Sequence, residues 1–482
     1  MVIDFAKHIE ALEHEPQWLR DERAKAWQKF FQLPMPTAAE EAWRLLDLNR
    51  IDLDRLAVST STPEKIRSLQ DVEAICDHGE GHFYWGKQIK QYIEKAAGIV
   101  VHSSKAIWLQ LDEEAAKQGV ICTTMAEALV KHADLIKTIL INADDNNKPD
   151  KFALLNQAIS HAGIFIYVPD NIVLSKPLIC LNLFGADSMS KFVLLAGKNS
   201  KLSVVNILTG GTRAENQNQD DTKEKQLLVN YDLQMHLQAG AQLDYAEIHE
   251  FEDEFFVVNH SNYCLERDSH LSALIAAFGA GQLKNEIRTV LKDRGAECVV
   301  NGIVLGNKKE SFNFNTIDDH NAPDTKSSID VRVVLKDEAK SIYHGIIEVA
   351  KEAQKTNAFQ SNKNLLLGEK AHADSIPKLE ILADDVKCSH GATVGPVDRN
   401  QLFYLMSRGL SASNAEELIV NGFFHQLIAD CKIEGISDWL DSLVANKIEH
   451  GKVADHSLEA TKEHVAATLS VSQKKGQPAL IK

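Results

Sequence analysis

The runs ECVVNGIVLGN (297–307), SIDVRVVL (328–335) and SIYHGIIEV (341–349) decide the fold. Each is rich in β-branched residues, and a polar turn follows each one. The same texture extends upstream through GIFIYVPD (163–170), FVLLAG (192–197), KLSVVNIL (201–208), QLDYAEI (242–248) and FFVVNHSNYCLE (255–266). A doubly wound α/β sheet needs a helix between successive strands, and such helices are missing, so the body is read as all-β. A leucine precedes a polar turn at Leu195, Leu237, Leu265, Leu291, Leu335 and Leu367, at intervals from 26 (Leu265 to Leu291) to 44 residues (Leu291 to Leu335). That recurrence is too irregular for a strict repeat. It suits a β-solenoid with unequal turns, and spacing alone leaves an ordinary sandwich open. The segment TGGTRAENQNQDDTKEKQ (209–226) holds one Ala and no larger apolar side chain, and reads as a mobile insert.

Helical patterns flank this body. Trp18, Leu19, Trp27, Phe30 and Phe31 recur at helical spacing until Pro34 and Pro36. Thr37 followed by Glu40 is a capping-box pattern that predicts a second helix through Trp43, Leu45 and Leu46. Short helix and strand pieces then mix over 65–150. Downstream, Asp398 predicts a helix cap, Gly409 a stop, and Ser413 with Glu416 a further capping box. These helices carry Leu402, Phe403, Leu405, Leu410, Leu418, Ile419, Phe423, Phe424, Leu427 and Ile428. That is more apolar surface than two short helices bury against each other. It serves either as a cap on the end of the β body or as a docking site. The expected division is a helical and small α/β region (1–150), a β core (151–396), a helical domain (397–445) and a polar tail (446–482).

The 482 residues are 44% hydrophobic and 25% charged, which are globular values, and the net charge is −16. An acidic chain is a poor partner for phosphate backbones or anionic lipid, so neither nucleic acid nor a membrane is expected. No 18-residue apolar stretch is present, and acidic residues stand where a secretory signal would be basic, so a cytoplasmic chain is expected. Seven scattered cysteines without a CxxC pair give no disulfide framework and no closed zinc site. GxxxxGK[ST], HExxH and GxSxG are all absent, and FGAGQLK lacks the third glycine of a dinucleotide loop.

Two clusters remain as candidate chemistry. In VKCSHGATVG (386–395), Cys388 and His390 share one face if the segment is extended, and a thiolate beside an imidazole suits iron or zinc. His372 joins them if the chain doubles back. Two or three ligands do not close a tetrahedral site, so the remainder would come from a second chain. The alternative is a small buried thiol beside a hydrogen-bonded histidine. In NTIDDHNAPDTKSS (315–328), Asp318, Asp319, His320 and Asp324 suggest acid–base or metal chemistry, or simply a polar turn at Pro323. The Asn- and Gln-rich stretch 343–368 suggests stacked amide ladders.

PKLEILADDVKCSHGATVGPVDRNQLFYLMSRGLSASNAEELIVNGF (377–423) resembles the C-terminal signature of the SufB/SufD family, on its SufD side. KFALLNQAISHAGIFIYVP (151–169), DHNAP (319–323), HGIIEVAKEAQKTNAFQSNKNLLL (344–367) and the N-terminal WLRDERAKAWQKFFQLPMPTAAEEAWRLLDL (18–48) extend the likeness. The resemblance implies a right-handed parallel β-helix flanked by an N-terminal helical/α+β region and a C-terminal helical domain. It implies a non-enzymatic scaffold of Fe–S cluster assembly that pairs with a SufB-like subunit. The helices at Leu402, Phe403, Leu405, Leu410, Ile419 and Phe423 would dock a SufC-like ABC ATPase. The nascent cluster would be transient and shared, with His390 and Cys388 as this chain's metal ligands and nothing bound stably by the chain alone. Ala371 stands where SufB carries a cysteine, and Cys388-Ser389-His390-Gly391-Ala392 replaces the SufB Glu-His-Glu-Ala pattern, which favours SufD. Two alternatives are a free-standing homodimeric Fe–S protein and a β-helix enzyme on polysaccharide using Asp318, Asp319 and Asp324.

Overall fold

The computed structural model describes residues 5, 12, 15–54, 56, 64–65, 95–103, 106–141, 150–160, 162–210 and 225–450. Its strands are β1 (Glu64–Lys65), β2 (Gly98–Ser103), β3 (Ala106–Leu111), β4 (Ile121–Thr124), β5 (Ala162–Val168), β6 (Leu178–Phe184), β7 (Ser188–Ala196), β8 (Lys201–Gly210), β9 (Leu227–Leu237), β10 (Gln242–Phe251), β11 (Phe255–Leu265), β12 (His270–Ala277), β13 (Gln282–Leu291), β14 (Glu297–Gly306), β15 (Ser311–His320), β16 (Lys326–Leu335), β17 (Lys340–Val349), β18 (Asn357–Leu366), β19 (His372–Ile381) and β20 (Lys387–Pro396). From β5 onward the chain alternates between two sheets, and each strand through β18 pairs in parallel with the strand two places later. The result is a parallel β-solenoid of about eight coils.

The alternation inside each strand explains the coil. In β16, Ile329, Val331, Val333 and Leu335 face the lumen and are buried, while Asp330 and Arg332 face outward. Leu237, Leu265, Leu291, His320, Val349 and Ile381 follow one another along one ladder. A coil therefore takes between 26 (Leu265 to Leu291) and 32 residues (Val349 to Ile381). The leucine recurrence was irregular because Leu335 and Leu367 belong to the other sheet's corner. The corners turn through left-handed residues such as Asn199, Gly240, Asp268 and Gly295. A Cβ on Gly240 would lie 2.4 Å from Asn199 Oδ1, so the stacked corner itself requires glycine there.

The N-terminal helix α1 (Gln17–Gln32) buries Leu19, Ala26 and Phe30, whereas Phe31 is 60% exposed. Arg23 anchors it with bonds of 2.7 and 2.8 Å to Glu15 and with donations to the carbonyls of Gln157 and Ala158. The predicted helix through Leu45 does not form. Thr37 and Glu40 close only a turn, Glu41–Trp43 is a 3-10 segment, and Leu45 has φ 68°. Tertiary packing overrides propensity here, since Trp43 must reach Phe152, at 4.9 Å between ring centroids. Three short helices, α2 (Glu113–Lys117), α3 (Met125–Lys131) and α4 (Ala133–Ile141), support β2–β4, and α5 (Lys151–Ile159) leads into the solenoid. The predicted insert 209–226 falls mostly outside the described residues.

Helix α6 (Arg399–Ser407) is capped by Asp398 and followed by Gly409 at φ 95°, as the sequence predicts. Helix α7 (Ala412–Ala429) is capped two residues earlier than predicted, by Ser411 accepting from Asn414 N–H. Helix α8 (Ile436–His450) runs past residue 445, and residues 451–482 lie outside the described set. The helices do not cap the solenoid's end. Val420, Phe424, Leu427, Leu440 and Val444 pack on its flank, against Ile303, Leu305 and Val334.

Candidate functional site: the open end of the solenoid

Placing the helices on the flank leaves the last coil bare. β19 ends one sheet and β20 the other, and neither pairs with a further strand among the described residues. Each therefore offers unpaired backbone groups along one side. Exposed apolar residues surround this end, with Phe359 46%, Leu382 73% and Val394 47% accessible.

Cys388 and His390 both lie on β20, and alternation turns both toward the mouth of the lumen. Cys388 is half-buried against the last apolar cluster, with Ala358, Leu379 and Val386. Burial pushes its thiol above the ordinary range, offset in part by a backbone hydrogen bond at Ala358. His390 is exposed. The arrangement puts a sulfur and an imidazole on one open rim, with space beside them for groups from elsewhere. His372 does not join them: it opens β19, whereas Cys388 follows that strand's far end, and His372 Nε2 lies 3.2 Å from Asp374.

The second sequence cluster is taken apart by the same alternation. Asp318 and His320 face the lumen and Asp319 faces outward. His320 bonds Thr325 and Ser327 at 2.8 and 2.9 Å, and burial lowers it to about 4, so it is a neutral structural imidazole. Asp319 pairs with Arg288 at 2.9 Å, and Asp324 sits in a left-handed turn paired with Arg294 at 2.6 Å. These carboxylates do not converge on a substrate, so the polysaccharide reading loses its residues. The expected amide ladder is also absent. Asn364 donates to Asn362 within its own strand at 2.7 Å, and Asn362 donates to the Val331 carbonyl.

One ligand-like cluster had no local sequence signal. Asp150, His260 and Glu286 bring ligand atoms within 4.8 Å of one another beneath α5. His260 and Glu286 are ladder neighbours one coil apart, so only knowledge of the coil length links them. Lys284 Nζ lies 2.9 Å from Glu286 and already supplies the cation, and His260 Nε2 lies 3.3 Å from Asp150. The cluster is a buried ion network that holds the N-terminal region on the sheet, not a vacant metal site.

The helical candidates divide by exposure. Phe403 is 73% accessible, while Leu402, Leu405, Leu410, Ile419 and Phe423 are half-buried. Phe423 is also engaged within the chain, where its carbonyl accepts from Arg332 at 2.6 Å. Tyr404, Met406 and Leu418 are exposed beside Phe403. Leu418 belongs to the broad apolar face that the sequence shows, but packing on a flat sheet uses a narrower stripe and leaves it exposed.

Known proteins resemble the chain over most of its length. Residues 184–423 match the SUF system FeS cluster assembly SufBD core domain, and 95–179 match the SufBD protein N-terminal region. The chain is 26% identical to the Bacillus subtilis iron–sulfur cluster assembly protein SufD over 452 residues, covering 92% of this chain and 98% of that one. It is 24% identical to SufB of the same organism, covering 89% and 90%. A SufBD family protein of Staphylococcus epidermidis is 25% identical, covering 88% of each. This chain belongs to the SufB/SufD family of the SUF iron–sulfur cluster assembly system.

Proposed function

We propose that this chain is a non-catalytic, SufD-like scaffold whose open solenoid end supplies part of a nascent Fe–S cluster site. The observation that carries the reading is the pair Cys388 and His390 on the lumen-facing side of a terminal strand whose outer edge is free among the described residues. A SufB-like subunit would continue the sheets across β19 and β20 and bring the missing ligands, so the cluster is cargo held transiently between chains. The exposed Phe403, Tyr404, Met406 and Leu418 of α6 and α7 would dock a SufC-like ABC ATPase, and ATP turnover would belong to that partner. The test is size exclusion of the purified chain with a SufB-like and a SufC-like protein. A complex containing all three is expected, and Phe403→Asp should release only the ATPase. Elution of this chain alone from both mixtures would overturn the reading. Homodimers without affinity for a SufB-like chain would point to the free-standing alternative.

A further inference from the structure

The lumen-facing row that ends in His390 changes character at its last closed position. Along the ladder it runs Ala273, Val300, Ile329, Gln360 and then His390. Three aliphatic rungs thus precede a primary amide, which is followed by the candidate ligand. Gln360 is 0% exposed, yet neither Oε1 nor Nε2 has a hydrogen-bond partner. Its neighbours on the same strand are at least partly bonded: Asn364 donates to Asn362 Oδ1 and to the Thr393 carbonyl, leaving only its own Oδ1 without a partner, and Asn362 donates to the Val331 carbonyl.

The fold makes room for this amide. Gly345, on β17 across the lumen, has no side chain, and a Cβ there would stand 2.1 Å from Gln360 Nε2 and 2.4 Å from its Cδ. The Ser375 hydroxyl on β19 is likewise unpaired in the terminal layer. A buried amide without partners costs about 1–3 kcal/mol relative to an apolar side chain of the same shape. A solenoid filled for stability alone would continue the aliphatic row, as Ile329 does one coil earlier.

We infer that Gln360 is a positioning residue for His390. Its amide waits unpaired behind the rim, and when a partner subunit covers the open end it bonds the His390 ring. Oε1 accepts from the protonated ring nitrogen, which fixes the tautomer and leaves the other nitrogen's lone pair toward the iron of the cargo. This rests on the Cys388–His390 reading given above.

The test uses Gln360→Met, equal in length and apolar, in the assembled pair with a SufB-like chain, with Co²⁺ as the probe for iron. The expected result is a urea midpoint at or above that of the parent, with Co²⁺ affinity reduced about 10–100-fold. With ¹⁵N-labelled histidine, the single ring tautomer of the parent pair should become a mixture in the variant. Parent-like Co²⁺ affinity, an unchanged tautomer, or a lowered urea midpoint that marks the amide as structural would overturn the inference. Co²⁺ binding that survives His390→Ala would instead defeat the site reading itself. Loss with His390→Ala but not with Gln360→Met would defeat this inference alone.

Discussion

At the scale of single residues, alternation along a strand decides what each side chain can do. Asp318 shows it: it faces the lumen, and burial pushes its carboxyl up to about 6. The native state thus holds this proton more tightly than the unfolded chain, whose aspartates titrate near 4. The associated stability is complete below about pH 4 and is lost as pH rises through 6. Asp318→Asn cannot ionise and should match the parent near pH 4. Above pH 6 it should exceed the parent by about 2–3 kcal/mol, read from urea unfolding at both pH values. The same alternation made Cys388 and His390 legible as a pair from sequence. It also split DDH at 318–320, which one-dimensional proximity had presented as one cluster. The unpaired state of Gln360 was not legible, because it depends on Gly345 and Ile329, and only the coil period brings those three together.

At the scale of elements, the helices show where local signals are enough and where they fail. Asp398 and Gly409 bound α6 as their chemistry predicts, because caps are local. The helix expected through Leu45 is absent because Trp43 and the sheet below it set the backbone. Helix α7 is held by few polar links. Arg332, bridged to Asp330 at 2.9 Å, donates to the Phe423 carbonyl, and Lys336 lies 3.3 Å from Glu416. Removing the guanidinium leaves the Phe423 carbonyl without this donor and Asp330 with only Lys363, 3.9 Å away, so Arg332→Leu should cost about 2 kcal/mol. Hydrogen exchange would show it as faster amide exchange confined to 412–429. The cap substitution Ser411→Ala should cost about 1 kcal/mol and fray the start of the same helix.

At the scale of the whole molecule, a solenoid must be closed at both ends or paired. The β1–β4 region covers the early coils, while α7 and α8 lie along the flank and leave β19 and β20 open. Turns and strand texture made a β body legible but left a coil and a sandwich both open, the resemblance alone favouring the coil, and the sequence indicated apolar helices near residue 400. It could not tell a cap from a flank-packed pair, since both need the same apolar stripe. The open end predicts association through strand edges. Val394→Lys puts a charge on an already exposed position, so it should leave the monomer's melting temperature unchanged and abolish the complex with a SufB-like chain on size exclusion.

The most direct measurement is anaerobic reconstitution with iron and sulfide, followed by absorption spectroscopy of three samples. These are the chain alone, the chain paired with a SufB-like subunit, and the same pair carrying Cys388→Ser with His390→Ala. The account predicts a cluster chromophore in the second sample only. A stable cluster on the lone chain, or one in the pair that survives both substitutions, would contradict it.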